Sequence, residues 1–275
     1  MDFNIKIYLK LLGKLKSKGY SFQTFTEFLQ NPDEKVVILR HDVDLNPNNS
    51  MSFAKLQSDM GIKGSYYFRA VPESWDEDII RNICSLGHEI GYHYENMDTA
   101  SSKFKVESSK LVSGSSKYDQ LLYRAYQDFC EHLEKLRQLV PVTTICMHGS
   151  PRSKFDNKTI WDKYDYRGLG ILGEPYFDVD FNKVFYLTDT GRRWDGWKVS
   201  VRDKVPQQIE WKQKGLVFRS SNEIIAAIEQ DRFPGKAMIT FHPQRWHNKT
   251  VPWIKECAFQ SGKNLVKRAL ISWRK

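Results

Sequence analysis

At 275 residues, 40% of them hydrophobic and 27% charged, the chain has the length of one or two domains at roughly 150 residues each. Its composition is that of a globular protein rather than of a disordered, collagen-like or coiled-coil one. Forty-two basic against 33 acidic residues leave a net charge of +9, which suits an anionic partner. The basic residues are spread along the chain outside the terminal KNLVKRALISWRK, so nucleic acid is not an expected partner.

Lys, Arg, Asp or Asn interrupts every hydrophobic run, which removes the roughly 18 apolar residues that a membrane span needs. Lys6, Lys10, Lys14 and Lys16 break up the apolar stretch at the N-terminus in a way a signal peptide does not tolerate. A cytoplasmic location is expected. Cys84, Cys130, Cys146 and Cys257 form no CxxC pair, so neither a disulfide scaffold nor a cysteine zinc site is indicated.

In chain order, Ile5, Tyr8, Leu9, Leu12 and Leu15 recur at helical spacing and predict an amphipathic helix over 5–18, stopped at Gly19. Val36 to Leu39 reads as a buried strand leading into Arg40-His41-Asp42-Val43-Asp44. A helix over 47–60 follows, then a strand over 64–69. Ser74 with Glu77 reads as a capping box opening a helix that runs to Gly87. A strand over 89–94 comes next, then a Ser- and Lys-rich loop over 101–117. Leu122 to Leu136 mark a long helix ended before Pro141.

Strands are expected over 142–147, 170–173, 184–187 and 237–241, with a helix capped by Ser220 and Glu223 before the last of them. A helical extension over 252–275 closes the chain. This alternation predicts a single α/β domain over 1–275, a (β/α) barrel whose parallel sheet is covered by helices.

The active site of such a barrel lies at the C-terminal ends of its strands. Asp42 and Asp44 follow the first predicted strand, His93 ends the third, His148 follows the fourth and His242 the last. Each has a structural reading by itself, since Asp caps helices and shapes turns and a lone His is often a hydrogen-bonded core group. Their recurrence at equivalent strand ends points instead to a metal site with an acid and a base beside it.

HDVD, GHEIGYHYENMD and a late strand ending in FHP resemble the polysaccharide deacetylase superfamily, the family 4 carbohydrate esterases that act on N-acetylated sugars. The resemblance spans residues 36–246 in order. It implies a distorted (β/α) barrel, a divalent metal that is usually zinc, and removal of acetyl groups from chitin, peptidoglycan or similar glycans. It maps a catalytic base onto Asp42, a metal ligand onto Asp44 and a general acid onto His242.

The family's His-(Ser/Thr)-x-x-His motif is represented by His93, but Tyr94 stands in the second position and Met97 in place of the second His. A thioether is a poor ligand for a borderline ion. His148 is the expected substitute, with Glu95 and Asp98 as runners-up, and His88 is read as structural. The family's Arg-x-Pro motif is echoed only at Pro151 and Arg152. Its Asp and Trp pair resembles Asp189 and Trp194, although that segment reads equally as a Gly turn between strands.

The resemblance thus implies a metal-dependent amide hydrolase, an N-deacetylase of an amino sugar in a bacterial surface polysaccharide or its precursor. Asp44, His93 and His148 would hold the metal, Asp42 and His242 would act as base and acid, and Arg152, Asp189 and Trp194 would contact substrate. Removing Asp42 is expected to cost activity without cost to the fold. Trp246 is a further candidate for stacking on a sugar, and Arg152, Arg192 and Arg193 would suit an anionic group on it. Two alternatives stay open: a degenerate deacetylase that binds a glycan or a protein, and a metal hydrolase of a non-sugar amide.

Overall fold

Eight consecutive buried residues, Val36–Val43, form β2, the strand around which the rest of the sheet is laid. One edge of β2 pairs along most of its length with β7 (Lys236–Phe241). Its other edge is shared, β1 (Ser21–Gln23) taking Val36 to Ile38 and β3 (Ser65–Phe68) taking Arg40 to Val43. With β4 (Glu89–Tyr94), β5 (Ile145–Met147) and β6 (Phe185–Thr188), the order is β5-β4-β3-β2-β7-β6, and every pair is parallel. The computed structural model describes residues 2–103, 116–149, 155–195 and 205–273. Among them no ladder joins β5 to β6, so the α/β barrel is distorted by an opening at that point.

Helices connect the strands and cover the sheet, as parallel pairing requires. They are α1 (Ile5–Ser17), α2 (Phe25–Gln30), α3 (Pro47–Asp59), α4 (Glu77–Ser85), α5 (Asn96–Lys103), α6 (Ser116–Arg137), α7 (Pro175–Asp178), α8 (Gln208–Gln213), α9 (Ser221–Glu229) and α10 (Thr250–Trp273). The periodicity that predicts α1 is what the fold uses. Ile7, Tyr8, Leu11, Leu12 and Leu15 are buried, and the helix packs on α9. No helix among the described residues is long and apolar enough to cross a membrane.

Four local expectations need correction. Asp76, not Ser74, caps α4 by accepting from the Ile79 amide at 3.0 Å. Ser74 instead links the ends of two strands, its hydroxyl donating to the Val43 carbonyl and accepting from the Arg69 amide. Residues 170–173 form no strand, because Gly170 ends a 3₁₀ turn in the left-handed region and only Gly173 bridges, to Thr144. Strand β5 is shorter than 142–147, the carbonyls of Val142 and Thr143 being taken by the Arg137 side chain and the Leu172 amide. Helix α5 extends to Lys103 within the expected loop, the remainder of which lies largely outside the described residues. Strand β1 and helix α2, the latter opened by a Thr24–Glu27 capping box, had no assignment in the sequence.

Alternation along β2 separates two buried polar systems. His41 faces α1 and α3. Its Nδ1 donates to the Ser65 carbonyl at 3.2 Å, while Nε2 accepts from the Gln57 amide at 2.9 Å. Tyr66 donates to Gln57 Oε1 at 2.7 Å, and the Gln57 amide also reaches the Tyr8 hydroxyl. Burial drives the His41 imidazole down to about 3.

The unfolded chain therefore binds this proton first as pH falls below its ordinary value, so the stability contributed by neutral His41 is present at pH 7 and lost between about 6.5 and 3. Between pH 7 and pH 5 this amounts to about 2 kcal/mol. Urea unfolding at the two pH values should show that loss in the wild type and a smaller one in His41→Gln. Equal losses would show that His41 is not the titrating group.

Candidate active site

On the opposite face of β2, Arg40 and Asp42 are two residues apart and so point the same way. Arg40 grips the Asp42 carboxylate with both arms of its guanidinium, at 2.8 Å from Nε and 2.6 Å from Nη2, and both side chains are buried. Burial alone would raise the Asp42 carboxyl, but Arg40, with His93 and His242 nearby, holds it down to about 2. Asp42 is a fixed carboxylate at neutral pH.

Asp44 lies one residue beyond the end of β2. Arg69 donates to its backbone carbonyl at 2.9 Å, and Gln244 donates to its Oδ2 at 3.0 Å. Oδ1 is buried and has no hydrogen-bond donor among the described residues. Three histidines surround this carboxylate and hold it well below its ordinary range against the opposing effect of burial.

His93, on β4, donates from Nδ1 to the Cys146 carbonyl at 2.9 Å. That bond fixes the tautomer and turns the lone pair of Nε2 toward the carboxylates, 3.5 Å from Asp44 Oδ1 and 3.8 Å from Asp42 Oδ2. His148 enters from the end of the neighbouring β5, its amide extending the ladder to the Tyr94 carbonyl at 2.8 Å. Its Nε2 lies 3.6 Å from Asp44 Oδ1 and its Nδ1 3.0 Å from Glu95 Oε2. Burial would lower the His148 imidazole, but the Glu95 and Asp44 carboxylates together outweigh it and raise the imidazole above its ordinary value. Arg69 clamps Glu95 through contacts of 2.8 to 3.1 Å.

The ligand atoms of Asp44, His93 and His148 all lie within 4.8 Å of one another. Donors about 2.0–2.2 Å from a divalent ion stand roughly 3.0–3.6 Å apart at tetrahedral or octahedral angles, and the two separations at Asp44 Oδ1 fall in that range. The orphaned Oδ1, the His93 imidazole oriented through its other nitrogen, and the His148 imidazole beside the Glu95 carboxylate suit a divalent cation. A second set, Asp42, His93 and Cys146, is equally compact, with one lone pair on each Asp42 oxygen taken by Arg40.

His242 follows β7. Its Nδ1 donates to Asp189 Oδ1 at 2.5 Å, and its amide donates to Asp189 Oδ2 at 3.0 Å. Its Nε2 lies 3.9 Å from Asp44 and 4.0 Å from Asp42. Asp42, Asp44 and His242 thus share one small volume at the C-terminal ends of the strands.

The chain is similar to family 4 carbohydrate esterases. The likeness is structural, since no family model and no curated protein match the sequence. A family 4 esterase from Streptococcus mutans aligns with a TM-score of 0.42 at 11% identity, over 90% of this chain and 87% of that one. One from Bacillus anthracis aligns at 0.38 and 10%, over 91% and 83%. A pseudoenzyme of the same family, also from Bacillus anthracis, aligns at 0.41 and 13% over 85% of this chain, which spans 63% of its length. At this level of likeness the chemistry rests on the side chains themselves.

Those side chains revise several sequence assignments. Asp189 is fully buried and accepts from His242, from Trp246 Nε1 at 2.6 Å and from Arg245 at 3.4 Å, so it positions His242 rather than contacting substrate. Trp194 is 2% exposed and packs against Phe3, Phe241 and Trp246, with its Nε1 donating to Ser221. It has no open ring face for a sugar, and Trp246 is equally buried. Arg152, with Pro151, lies outside the described residues.

Arg193 is committed to Asp195, and Arg192 is held between the Phe3 and Trp253 rings. Met97 is buried in the core, and the side chain that stands with Asp44 and His93 is His148, from the end of β5. Of the two runners-up, Glu95 lies 3.0 Å from His148 Nδ1 and is clamped by Arg69, and Asp98 accepts from Asn157 at 3.1 Å. His88 is structural, accepting from the Gly64 amide and donating to the Ala54 carbonyl. Arg40, Arg69 and Gln244 were not foreseen. Arg40 was within reach, since i and i+2 share a strand face.

Proposed function

We propose that the chain is a metal-dependent amide hydrolase that removes the acetyl group from an amino sugar, in a bacterial surface polysaccharide or its precursor. The observation that carries this reading is the convergence of Asp44, His93 and His148 beside an Arg40-held Asp42 and an Asp189-held His242. A divalent ion, zinc being the expected one, would supply a Lewis acid for the acetyl carbonyl and acidify a water at the site.

The protein's own groups supply the rest. Asp42, ionised at neutral pH, accepts the proton of the attacking water, while the Arg40 clamp keeps its carboxylate from rotating. His242 Nε2 faces the same volume and donates a proton to the departing nitrogen, so that the amine leaves neutral. Asp189 holds the imidazole in the orientation that presents Nε2, and its carboxylate stabilises the charged ring. Each acid or base step of this kind contributes about 10² to 10⁴ in rate.

The test is acetate release from a panel of N-acetylated amino sugars, free, polymeric and nucleotide-linked, in the presence of zinc and other divalent ions. Release that depends on the ion and disappears in His242→Ala supports the reading. Release of acid only from non-sugar amides would redirect it to another amide. Binding of a glycan without any hydrolysis would leave a deacetylase-like binding protein.

A further inference from the structure

Helix α10 is polarised in the opposite sense to an ordinary surface helix, which buries its apolar side and exposes its polar one. Its inner side carries Trp253, Gln260 and Asn264. Trp253 Nε1 donates to the Asp2 carbonyl at 2.6 Å and its ring takes the Arg192 guanidinium, while Asn264 donates to the Gly191 carbonyl at 3.0 Å. Gln260 and Asn264 are buried. The outer side carries Val251, Ile254, Ala258 and Leu265, the last three lying three, seven and fourteen residues beyond the first, so that the four share one stripe. Val251, Ile254 and Leu265 are 54–67% exposed, as is Phe259, one position past Ala258.

Apolar side chains exposed singly are ordinary, whereas a contiguous row of them marks an interaction surface. Of the nine large hydrophobic residues exposed among the described ones, four are on this helix. The charge around the row indicates what covers it. From Lys249 to Lys275 the sequence carries seven basic residues and a single acidic one, Glu256. Lys255, one position past Ile254, and Lys263, two before Leu265, are exposed, and Lys263 Nζ sits 4.1 Å from the centre of the Phe259 ring. That surplus of like charge opposes the pairing of two copies through this face and favours an anionic partner.

We propose that the outer face of α10 binds an anionic phospholipid surface, its apolar row entering the boundary between head groups and acyl chains and its lysines meeting the lipid phosphates. The helix would lie along the surface, since it is not apolar enough to cross. The face uses none of the residues of the Asp44–His93–His148 cluster and stands without the proposed hydrolase activity.

Co-sedimentation of the full chain with vesicles tests this. Wild type should sediment with vesicles of phosphatidylglycerol and phosphatidylcholine in equal parts and much less with phosphatidylcholine alone, and the binding should weaken as salt rises. The double variant Ile254→Glu, Leu265→Glu should lower the partition coefficient by about 10-fold or more, because two of the side chains that enter the lipid become charged. Lys255→Glu with Lys263→Glu should lower it on the anionic vesicles by at least about fivefold for each site. All four side chains are exposed, and circular dichroism confirms that each variant is folded. No sedimentation with the anionic vesicles, equal binding to both kinds of vesicle, or undiminished binding in the Ile254→Glu, Leu265→Glu variant would each overturn the proposal. So would a dimer in analytical ultracentrifugation that the same variant abolishes, which would make a second copy of the chain the occupant of this face.

Discussion

Asp42→Asn should lower the turnover of an N-acetylated amino sugar by about 10² to 10⁴-fold, the usual contribution of a positioned general base, while the metal content stays at its wild-type level. The sequence alone suggests that this loss carries no cost in stability, but the Arg40–Asp42 pair says otherwise. Arg40 is almost completely buried, and among the described residues Asp42 is the carboxylate that hydrogen-bonds it. Removing one member of a buried pair leaves the other charge uncompensated, which costs about 3–5 kcal/mol. The Asn side chain keeps one oxygen for the guanidinium and should cost less than Ala.

Against a total stability of about 5–15 kcal/mol, Asp42→Asn should therefore remain folded and Asp42→Ala should be marginal. Urea unfolding and steady-state kinetics on both variants read the two effects separately. Wild-type turnover in Asp42→Asn would remove the base from the mechanism. Wild-type stability in Asp42→Ala would show that the guanidinium finds another partner.

Asp189→Asn should reduce turnover by about 10 to 10²-fold, since a hydrogen bond to a charged group is worth about 1.5–3 kcal/mol and each 1.36 kcal/mol is a factor of ten in rate. The effect runs through His242, so it should vanish where His242 is already gone. The double variant Asp189→Asn, His242→Ala should turn over no more slowly than His242→Ala alone, because residues that act as one unit are not additive. A further drop in the double variant would give Asp189 a role of its own, such as the substrate contact that its sequence position suggests. The stability readout must accompany this one too, because the Asp189 carboxylate also accepts from Trp246 Nε1 and from the His242 amide.

Which parts of this were legible in the sequence follows from how locally each is encoded. Strand β4 was legible to the residue because Glu89 to Tyr94 is bounded by Gly87 and by the turn into α5. Helix α1 was legible because its apolar spacing is the face it buries. The end of β2 was not, since Arg40, His41 and Asp42 look like a polar loop and are tolerated in a buried strand only through partners far along the chain, Gln57, Ser65 and His93 among them.

Strand ends alone were enough to select Asp42, Asp44, His93, His148 and His242, because a parallel sheet delivers all its C-terminal ends to one rim. Their roles were harder. Asp189 looks like a rim residue, yet it is tucked under His242, and nothing local distinguishes a carboxylate that faces substrate from one that faces a histidine. Trp194 has the composition of a sugar platform and the surroundings of a core residue. Both depend on where β7 and the loop after β6 meet, which is a long-range matter.

Metal content per chain, measured by mass spectrometry on protein purified without chelator, tests the central assignment most directly. Wild type supplied with divalent ions should hold close to one equivalent, and both His93→Ala and His148→Ala should lose it, while Asp98→Ala should not. An empty wild type, or full retention in His148→Ala, would contradict the Asp44–His93–His148 site.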